Sequence, residues 1–289
     1  MKIKTYFKLF RPFTLLAPIV GGIFFSYKAI IDHYGSFNIE FIPLIILNGF
    51  ILAIANASSN IFNQVFDIEI DRINKPDRPL PKGEIKIEEA ISIGILLIIL
   101  DLVLSGYFFN SLYVFLLGLI LIFTWLYNNP PLRLRMKLFW SNLAIATPRG
   151  GLGIIAAYSA FNYPTNEVLL AGFIFALYIF GVNTLKDFPD EAGDKMLGVR
   201  NFVTVYGKRG AKLIVSIFSL VPFIILYIFS PIGIIPIISM KTAVYETIPF
   251  LLSIPMNFIL GKKRLYKKDE IKLWRLFYIQ YSLMILLFA

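Results

Sequence analysis

Residues 41–71 read FIPLIILNGFILAIANASSNIFNQVFDIEID, an apolar run that ends by placing Asn63, Asp67 and Asp71 at intervals of four. The run exceeds the roughly 20 residues that an α-helix needs to cross a bilayer core about 30 Å thick. Side chains four apart share one helical face, so the three form a column about 12 Å long at about 1.5 Å per residue. Carboxylate and amide oxygens in such a column suit Mg²⁺, which keeps several waters and is commonly shared with substrate phosphates. A routine solvated loop would explain the charges but not their position. An acidic column continuing out of an apolar helix is costly beside lipid unless it serves a function.

Immediately downstream, Arg72, Lys75, Arg78 and Lys82 alternate with Pro76, Pro79 and Pro81, which makes a stiffened basic loop beside the column. A second acidic cluster closes the apolar run 167–186. There Asp187, Asp190 and Asp194 are spaced by three and then four, again one helical face, with Lys186 beside them. Pro189 and Gly193 leave the continuity of that helix open. Two carboxylate clusters at neighbouring helix ends would repel one another unless divalent cations stood between them. A diphosphate bridged by Mg²⁺, its outer oxygens held by basic side chains, satisfies that arrangement.

Outward from these motifs, nine apolar runs are expected to span the membrane, at 13–31, 41–66, 88–108, 111–128, 141–160, 167–186, 211–230, 244–260 and 272–288. Pro231, Pro236, Pro249 and Pro255 make the eighth the least regular, and it could instead hold an interfacial piece and a short kinked helix. Hydrophobic residues make up 57% of the 289 positions and charged ones 16%, against roughly 45–50% and about 25% in soluble domains. The fold class is therefore an all-α polytopic membrane protein, a single embedded domain over 1–289. A net charge of +10 would ordinarily raise nucleic acid as a partner. Here the basic residues sit in short gaps rather than along a stripe, which excludes that reading.

Of the 28 Lys and Arg, 25 fall in 1–12, 67–87, 129–140, 186–212 and 261–275, which are alternate gaps between runs. The positive-inside rule then puts the N-terminus in the cytoplasm and the C-terminus outside the cell membrane. Both acidic clusters lie on the cytoplasmic side. The first apolar run follows four basic residues, but no small-residue cleavage site follows it, so it reads as a retained helix. Cysteine is absent, which excludes a thiol nucleophile. His33, the single histidine, falls in an outside connection, which excludes a histidine-based metal site or triad.

The Asn63-x-x-x-Asp67-x-x-x-Asp71 motif, the Asp190-x-x-x-Asp194 motif, about nine helices and the stretch Tyr127-Asn-Asn-Pro-Pro131-Leu-Arg133 together resemble the UbiA superfamily of intramembrane prenyltransferases. The resemblance spans essentially the whole chain. It implies helices around a central cavity, cytoplasmic cap loops, a lateral opening to lipid, and Mg²⁺ with an isoprenyl diphosphate donor bound between the two motifs. On that resemblance Asn63, Asp67, Asp71, Asp190 and Asp194 are the metal-binding residues, and Asp187 extends the second motif. Arg72, Lys75, Arg78 and Lys186 are the residues set against the diphosphate. Metal and basic groups would neutralise the departing diphosphate so that the allylic C–O bond ionises. The resulting cation must be kept from water.

Two further residues belong to this reading. Tyr127 precedes the Pro-Pro pair at the inside end of the fourth run, where its ring could stabilise a cation. Arg149 is the only Lys or Arg deep within a run, and an intramembrane arginine is a functional candidate by default. It could anchor an anionic acceptor or diphosphate, or else make an internal salt bridge. Asp101 in the third run is expected to be paired or mildly exposed. Arg11, beside Pro12, could line the cavity mouth or simply anchor the first helix.

The lipid-soluble acceptor is less determined. The family's acceptors include aromatic acids and quinone precursors, a porphyrin side chain, haem, and geranylgeranylglyceryl phosphate in archaeal ether-lipid synthesis. An Ile- and Lys-rich, Cys-free composition favours the last, and an aromatic acceptor is the alternative. The opening Arg11-Pro-Phe-Thr-Leu-Leu-Ala-Pro18 departs from the first-helix pattern of the ether-lipid branch. An ion-coupled transporter would place its charges near the bilayer midplane on interrupted, symmetry-related helices. Both clusters here lie at inside ends, which disfavours that reading.

Overall fold

The computed structural model describes residues 2–289, and those residues form helices and their connections without a strand. A first helix, α1 (Lys2–Phe10), leads through a 3₁₀ turn at Pro12–Leu15 into α2 (Leu16–Tyr34). The long α3 (Ile42–Phe66) is separated by Asp67 alone from the short α4 (Ile68–Asn74), and α5 (Ile87–Phe108) and α6 (Ser111–Asn128) follow. Next come α7 (Trp140–Ala146), α8 (Gly153–Ser159), α9 (Asn166–Val182) and α10 (Glu191–Met196). The last third holds α11 (Phe202–Phe218), α12 (Val221–Ile228), α13 (Met240–Tyr245), α14 (Thr247–Leu251), α15 (Ser253–Leu260) and α16 (Lys267–Phe288).

Eight helical segments are long and apolar enough to cross a membrane: Pro12–Tyr34, Ile39–Phe66, Ile87–Phe108, Ser111–Asn128, Asn166–Asp187, Phe202–Ile228, Met240–Leu260 and Lys267–Phe288. The expected run at 141–160 is not among them, although it is helical throughout. Asn142, Pro148, Arg149 and three glycines dilute its apolar content, and α7 passes into α8 through a π-helical stretch at Thr147–Leu152. Pro148 lacks an amide donor, which favours such loosening. A methyl group on Gly150 would lie 2.6 Å from the Cα of Ala176, so only glycine lets this stretch seat directly on α9. The expected eighth run is broken into α13, α14 and α15, with Pro249 and Pro255 inside the second and third pieces.

Burial follows a membrane solvent. The outer face of α5 presents Leu96, Ile99 and Val103, all exposed, while the interior is built from aromatic residues such as Phe25, Phe175, Tyr178 and Tyr281. In lipid the backbone must satisfy itself and buried side chains must find partners. Asn48 Nδ2 donates to Ser26 Oγ at 2.7 Å and to the Ala157 carbonyl at 2.9 Å, and the Tyr113 hydroxyl donates to Asn48 Oδ1 at 2.7 Å. One asparagine thereby ties α2, α3, α6 and α8. Asp101 departs from the expectation of pairing or exposure: it is fully buried, and neither carboxylate oxygen has a hydrogen-bond partner. His33 is exposed, near the end of α2 and against the ring of Tyr34.

Candidate active site

The column expected from residues 63, 67 and 71 is continuous in hydrogen bonding although the helix axis breaks. Asp67 ends α3 with φ −109° and ψ 13°, yet its amide still bonds to the Asn63 carbonyl at 3.1 Å, and the Asp71 amide to the Asp67 carbonyl at 2.7 Å. The second cluster is less regular, as Pro189 and Gly193 suggest. A 3₁₀ turn at Asn183–Asp187 is followed by a turn and then α10, with Asp190 N bonding to Asp187 O at 3.2 Å and Asp194 N to Asp190 O at 3.1 Å.

One residue staples the two motifs together. Asn74, at the end of α4, donates through Nδ2 to the Asp190 carbonyl at 2.9 Å and accepts from the Gly193 amide at 3.0 Å. A Cβ on Gly193 would fall 2.5 Å from Asn74 Oδ1. Gly193→Ala should therefore break the same two bonds that Asn74→Ala removes. Both variants are expected to lower turnover, and the double variant should be no worse than the poorer single one, because sites sharing one interaction are not additive. Additive losses in kcat/KM would remove the staple from the account.

A pocket of about 480 Å³ opens between these segments. Asn63, Asp71, Asp187 and Asp190 line it, together with Lys75, Arg78, Lys186, Tyr127 and Arg149. Asp67 and Asp194 lie behind its wall, each 2% exposed. Arg72 is not brought to the pocket; its side chain is 61% exposed and pairs with Glu69 at 3.2 Å. The other candidates expected from sequence converge from helices distant in the chain.

Every motif carboxylate meets a cationic side chain. Arg78 pairs with Asp71 and Lys75 with Asp190, while Lys186 reaches Asp187 at 3.4 Å and donates to the Tyr127 hydroxyl at 3.1 Å. Arg135 joins the two motifs: it pairs with Asp67 and lies 3.7 Å from Asp194. Arg133 adds a hydrogen bond to the Phe66 carbonyl at 2.6 Å and an ion pair to Asp67 at 3.5 Å. Five motif carboxylates thus face five cations, so the charges of the two motifs are balanced.

Burial dominates the protonation balance here. It pushes Asp71 above the usual carboxylate range against the opposing charge of Arg78, and Asp194 up to about 6 against Arg135. Burial likewise lowers Lys75, with Asp190 opposing. Among the described residues no three acidic or imidazole groups stand close enough to enclose a cation as they are. The donor set nevertheless fits a hard ion. Its oxygens are carboxylates and amides, and Asp187 Oδ2 and Asp194 Oδ1 are buried without a hydrogen-bond partner.

A second, apolar pocket of about 100 Å³ continues inward, bounded by Ala17, Gly21, Leu52, Ile120 and Phe277 among others. Thr14, Arg149, Asn183 and Tyr278 line both pockets, so a polar mouth gives way to an apolar interior at these four residues. Against that geometry the comparisons with known proteins are decisive. The chain matches the UbiA prenyltransferase family over residues 12–284.

The chain belongs to the UbiA prenyltransferase family.

It is accordingly a membrane-embedded prenyltransferase. It is 34% identical over 209 residues to digeranylgeranylglyceryl phosphate synthase of Methanocaldococcus jannaschii, covering 72% of this chain and 69% of that one. The Pyrococcus furiosus digeranylgeranylglyceryl phosphate synthase is 30% identical over 263 residues, covering 84% and 87%. A solved digeranylgeranylglyceryl phosphate synthase structure superposes with a TM-score of 0.69 at 28% identity, over 99% of this chain and 97% of that one. The UbiA homologue of Archaeoglobus fulgidus bound to GPP and Mg²⁺ shares the fold, with a TM-score of 0.70 at 17% identity over 98% and 99%.

Several pocket residues of this UbiA member lack a clear sequence signal. Arg135 follows Arg133 by two positions, and only the backbone reversal at Arg133, φ 36° and ψ 59°, turns it toward both motifs. Lys267 reaches the pocket because α16 begins before the apolar run that marks it in sequence, and Trp274, Arg275 and Tyr278 reach it from the first part of that run. Asn183 did carry a signal: Asn183-x-x-x-Asp187 repeats the Asn63-x-x-x-Asp67 spacing.

Proposed function

We propose that this UbiA enzyme moves a geranylgeranyl-type chain from its diphosphate to geranylgeranylglyceryl phosphate, with Mg²⁺ held between the two acidic motifs. The observation that supports it most is the joined pair of pockets: a mouth of paired carboxylates and cations leading into an apolar interior. The archaeal relatives bear the name of the synthase that makes the doubly prenylated product. In this reading helices and cap loops surround a central cavity, with the run Trp140–Ser159 as a ninth span. The cytoplasmic location of the N-terminus and of both motifs rests on the placement of 25 of 28 basic residues.

Asn63, Asp67, Asp71, Asp190 and Asp194 would hold the metal, with Asp187 beside them. When bound, Mg²⁺ supplies charge neutralisation for the leaving diphosphate. The chain's own residues do the rest. Lys75, Arg78 and Lys186 exchange carboxylate partners for phosphate oxygens as the donor enters, and the allylic C–O bond breaks with its electron pair leaving on the diphosphate. The ring of Tyr127, 5.6 Å from Lys186 Nζ, faces the pocket where the allylic cation forms. Apolar walls keep water from that cation until the acceptor hydroxyl attacks it, and the hydroxyl proton leaves to the departed diphosphate. Arg149 is assigned to the acceptor.

Purified protein incubated with labelled geranylgeranyl diphosphate and Mg²⁺ tests this directly. Offered geranylgeranylglyceryl phosphate and 4-hydroxybenzoate together, it should form the doubly prenylated glyceryl phosphate. A prenylated benzoate as the only product would replace this acceptor with an aromatic one.

A further inference from the structure

Four basic groups around the pocket, Lys75, Arg78, Lys186 and Arg135, are taken up by motif carboxylates. Two are not. Arg11 and Arg149 both line the polar pocket, and neither guanidinium makes an ion pair or side-chain hydrogen bond with any described residue. Like charges are costly to gather in a partly buried wall unless an anion belongs between them.

The backbone holds both in place. Arg11 sits in the left-handed region at φ 54° and ψ 62°, ahead of Pro12, a conformation that non-glycine residues adopt only when the surroundings impose it. Those surroundings are specific. Asn60 Nδ2 donates to the Phe10 carbonyl at 3.0 Å and to Thr14 Oγ1 at 2.8 Å, and Asn56 Nδ2 donates to the Thr14 carbonyl at 2.9 Å, fastening the turn that bears Arg11 to α3. Arg149 lies in the π-helical stretch, whose backbone carbonyl accepts from the Tyr281 hydroxyl at 3.0 Å. Burial and the neighbouring charges of Arg78 and Arg149 bring Arg11 down to about 10, which leaves it charged at neutral pH.

Two neutral donors complete the ring. Asn183 is 3% exposed, its Nδ2 has no hydrogen-bond partner, and it lines both pockets. Tyr278 lines both as well, its ring edge-on to Phe13 at 4.8 Å between centroids. We infer that Arg11 and Arg149, with Asn183 and Tyr278, form a second phosphate site that takes the phosphate monoester of the acceptor lipid, apart from the metal–diphosphate site. Two guanidinium forks match a dianionic monoester, whereas a carboxylate would need only one. The junction between polar and apolar pockets suits a head group attached to a chain. This inference rests on the prenyltransferase reading above and adds to it a requirement for phosphate on the acceptor.

The test measures binding and transfer separately in the full-length protein. Binding of geranylgeranylglyceryl phosphate, measured without donor or Mg²⁺, should weaken by about 10- to 100-fold in Arg11→Gln and in Arg149→Gln, the scale of a lost charge-assisted hydrogen bond. Mg²⁺-dependent binding of the uncleavable donor geranylgeranyl thiolodiphosphate should change by less than about threefold, which also certifies the fold. In transfer, the same variants should raise the acceptor's KM and narrow the preference for the phosphorylated acceptor over geranylgeranylglycerol; Arg149→Lys should restore part of it. Wild-type binding of the acceptor by the double variant would overturn the site. Selective loss of the thiolodiphosphate would overturn it too, by giving both arginines to the donor. If the wild-type enzyme binds the phosphorylated lipid but never prenylates it, the function reading fails while the binding arm still reads the site.

Discussion

Asp67→Ala and Asp190→Ala should each lower kcat/KM for prenyl transfer by at least about 100- to 1,000-fold, the scale on which one preorganised transition-state contact is felt. The two carboxylates belong to different motifs and meet different cations, Arg135 with Arg133 for one and Lys75 for the other. On the proposed reading, removing either takes away one of five metal-holding side chains and frees its cation to be drawn to the remaining carboxylates. The variants should differ in stability. Asp67 is 2% exposed and its loss strands two arginines, whereas Lys75 is 35% exposed and can turn to water. Asp67→Ala is therefore expected to show the larger fall in melting temperature, and Asp190→Ala to be the cleaner catalytic lesion. Turnover within about tenfold of wild type at saturating Mg²⁺, in either variant, would contradict the two-motif account.

Arg135→Gln has the second large effect, and its sign depends on the metal. Without Mg²⁺ the substitution leaves Asp67 and Asp194 buried, facing one guanidinium fewer, and breaking such a buried pair costs about 3–5 kcal/mol. A ligand that binds only the folded state and supplies the missing charge stabilises it by mass action. In EDTA the variant should melt well below wild type, and Mg²⁺ with inorganic pyrophosphate should recover more stability for the variant than for wild type. Catalysis should stay depressed even then, since a cation that lines the pocket and ties the two motifs is gone. Equal stabilisation of both proteins by Mg²⁺ and pyrophosphate would show that Arg135 does not stand in for the metal.

Much of this was legible from spacing alone. The apolar runs locate the eight apolar spans because lipid imposes length and hydrophobicity on any crossing helix. Asn63, Asp71, Asp187 and Asp190 come together at one pocket because polar column positions at helix ends survive local irregularity, even where the axis breaks at Asp67. What spacing does not convey is side-chain direction after a loop reversal. Arg72 and Arg78 look equivalent in the basic loop, yet one pairs with Glu69 at the surface and the other with Asp71 inside. Arg135 is the converse: an ordinary loop cation in sequence, and in space the link between both motifs. The expected 141–160 run falls outside the eight apolar spans for the reason that makes it interesting, since Arg149 and its glycines lower the apolarity that marks a span.

The π-helical stretch at Thr147–Leu152 can be restated as a matter of register. A π turn holds one residue more than an α turn, so the segment beyond it is rotated by about 100° relative to an unbroken helix. The α7 side of this joint presents Asn142 to Thr184, in the 3₁₀ turn that follows α9, at 2.9 Å, while the α8 side presents the Ala157 carbonyl to Asn48 and α3. The joint lets one helical segment meet two sets of neighbours, and the place where the phase changes is where Arg149 lines the pocket. A single-residue deletion there would set the two halves in phase again and force one of them to abandon its partners, so the length of this segment is as constrained as its chemistry.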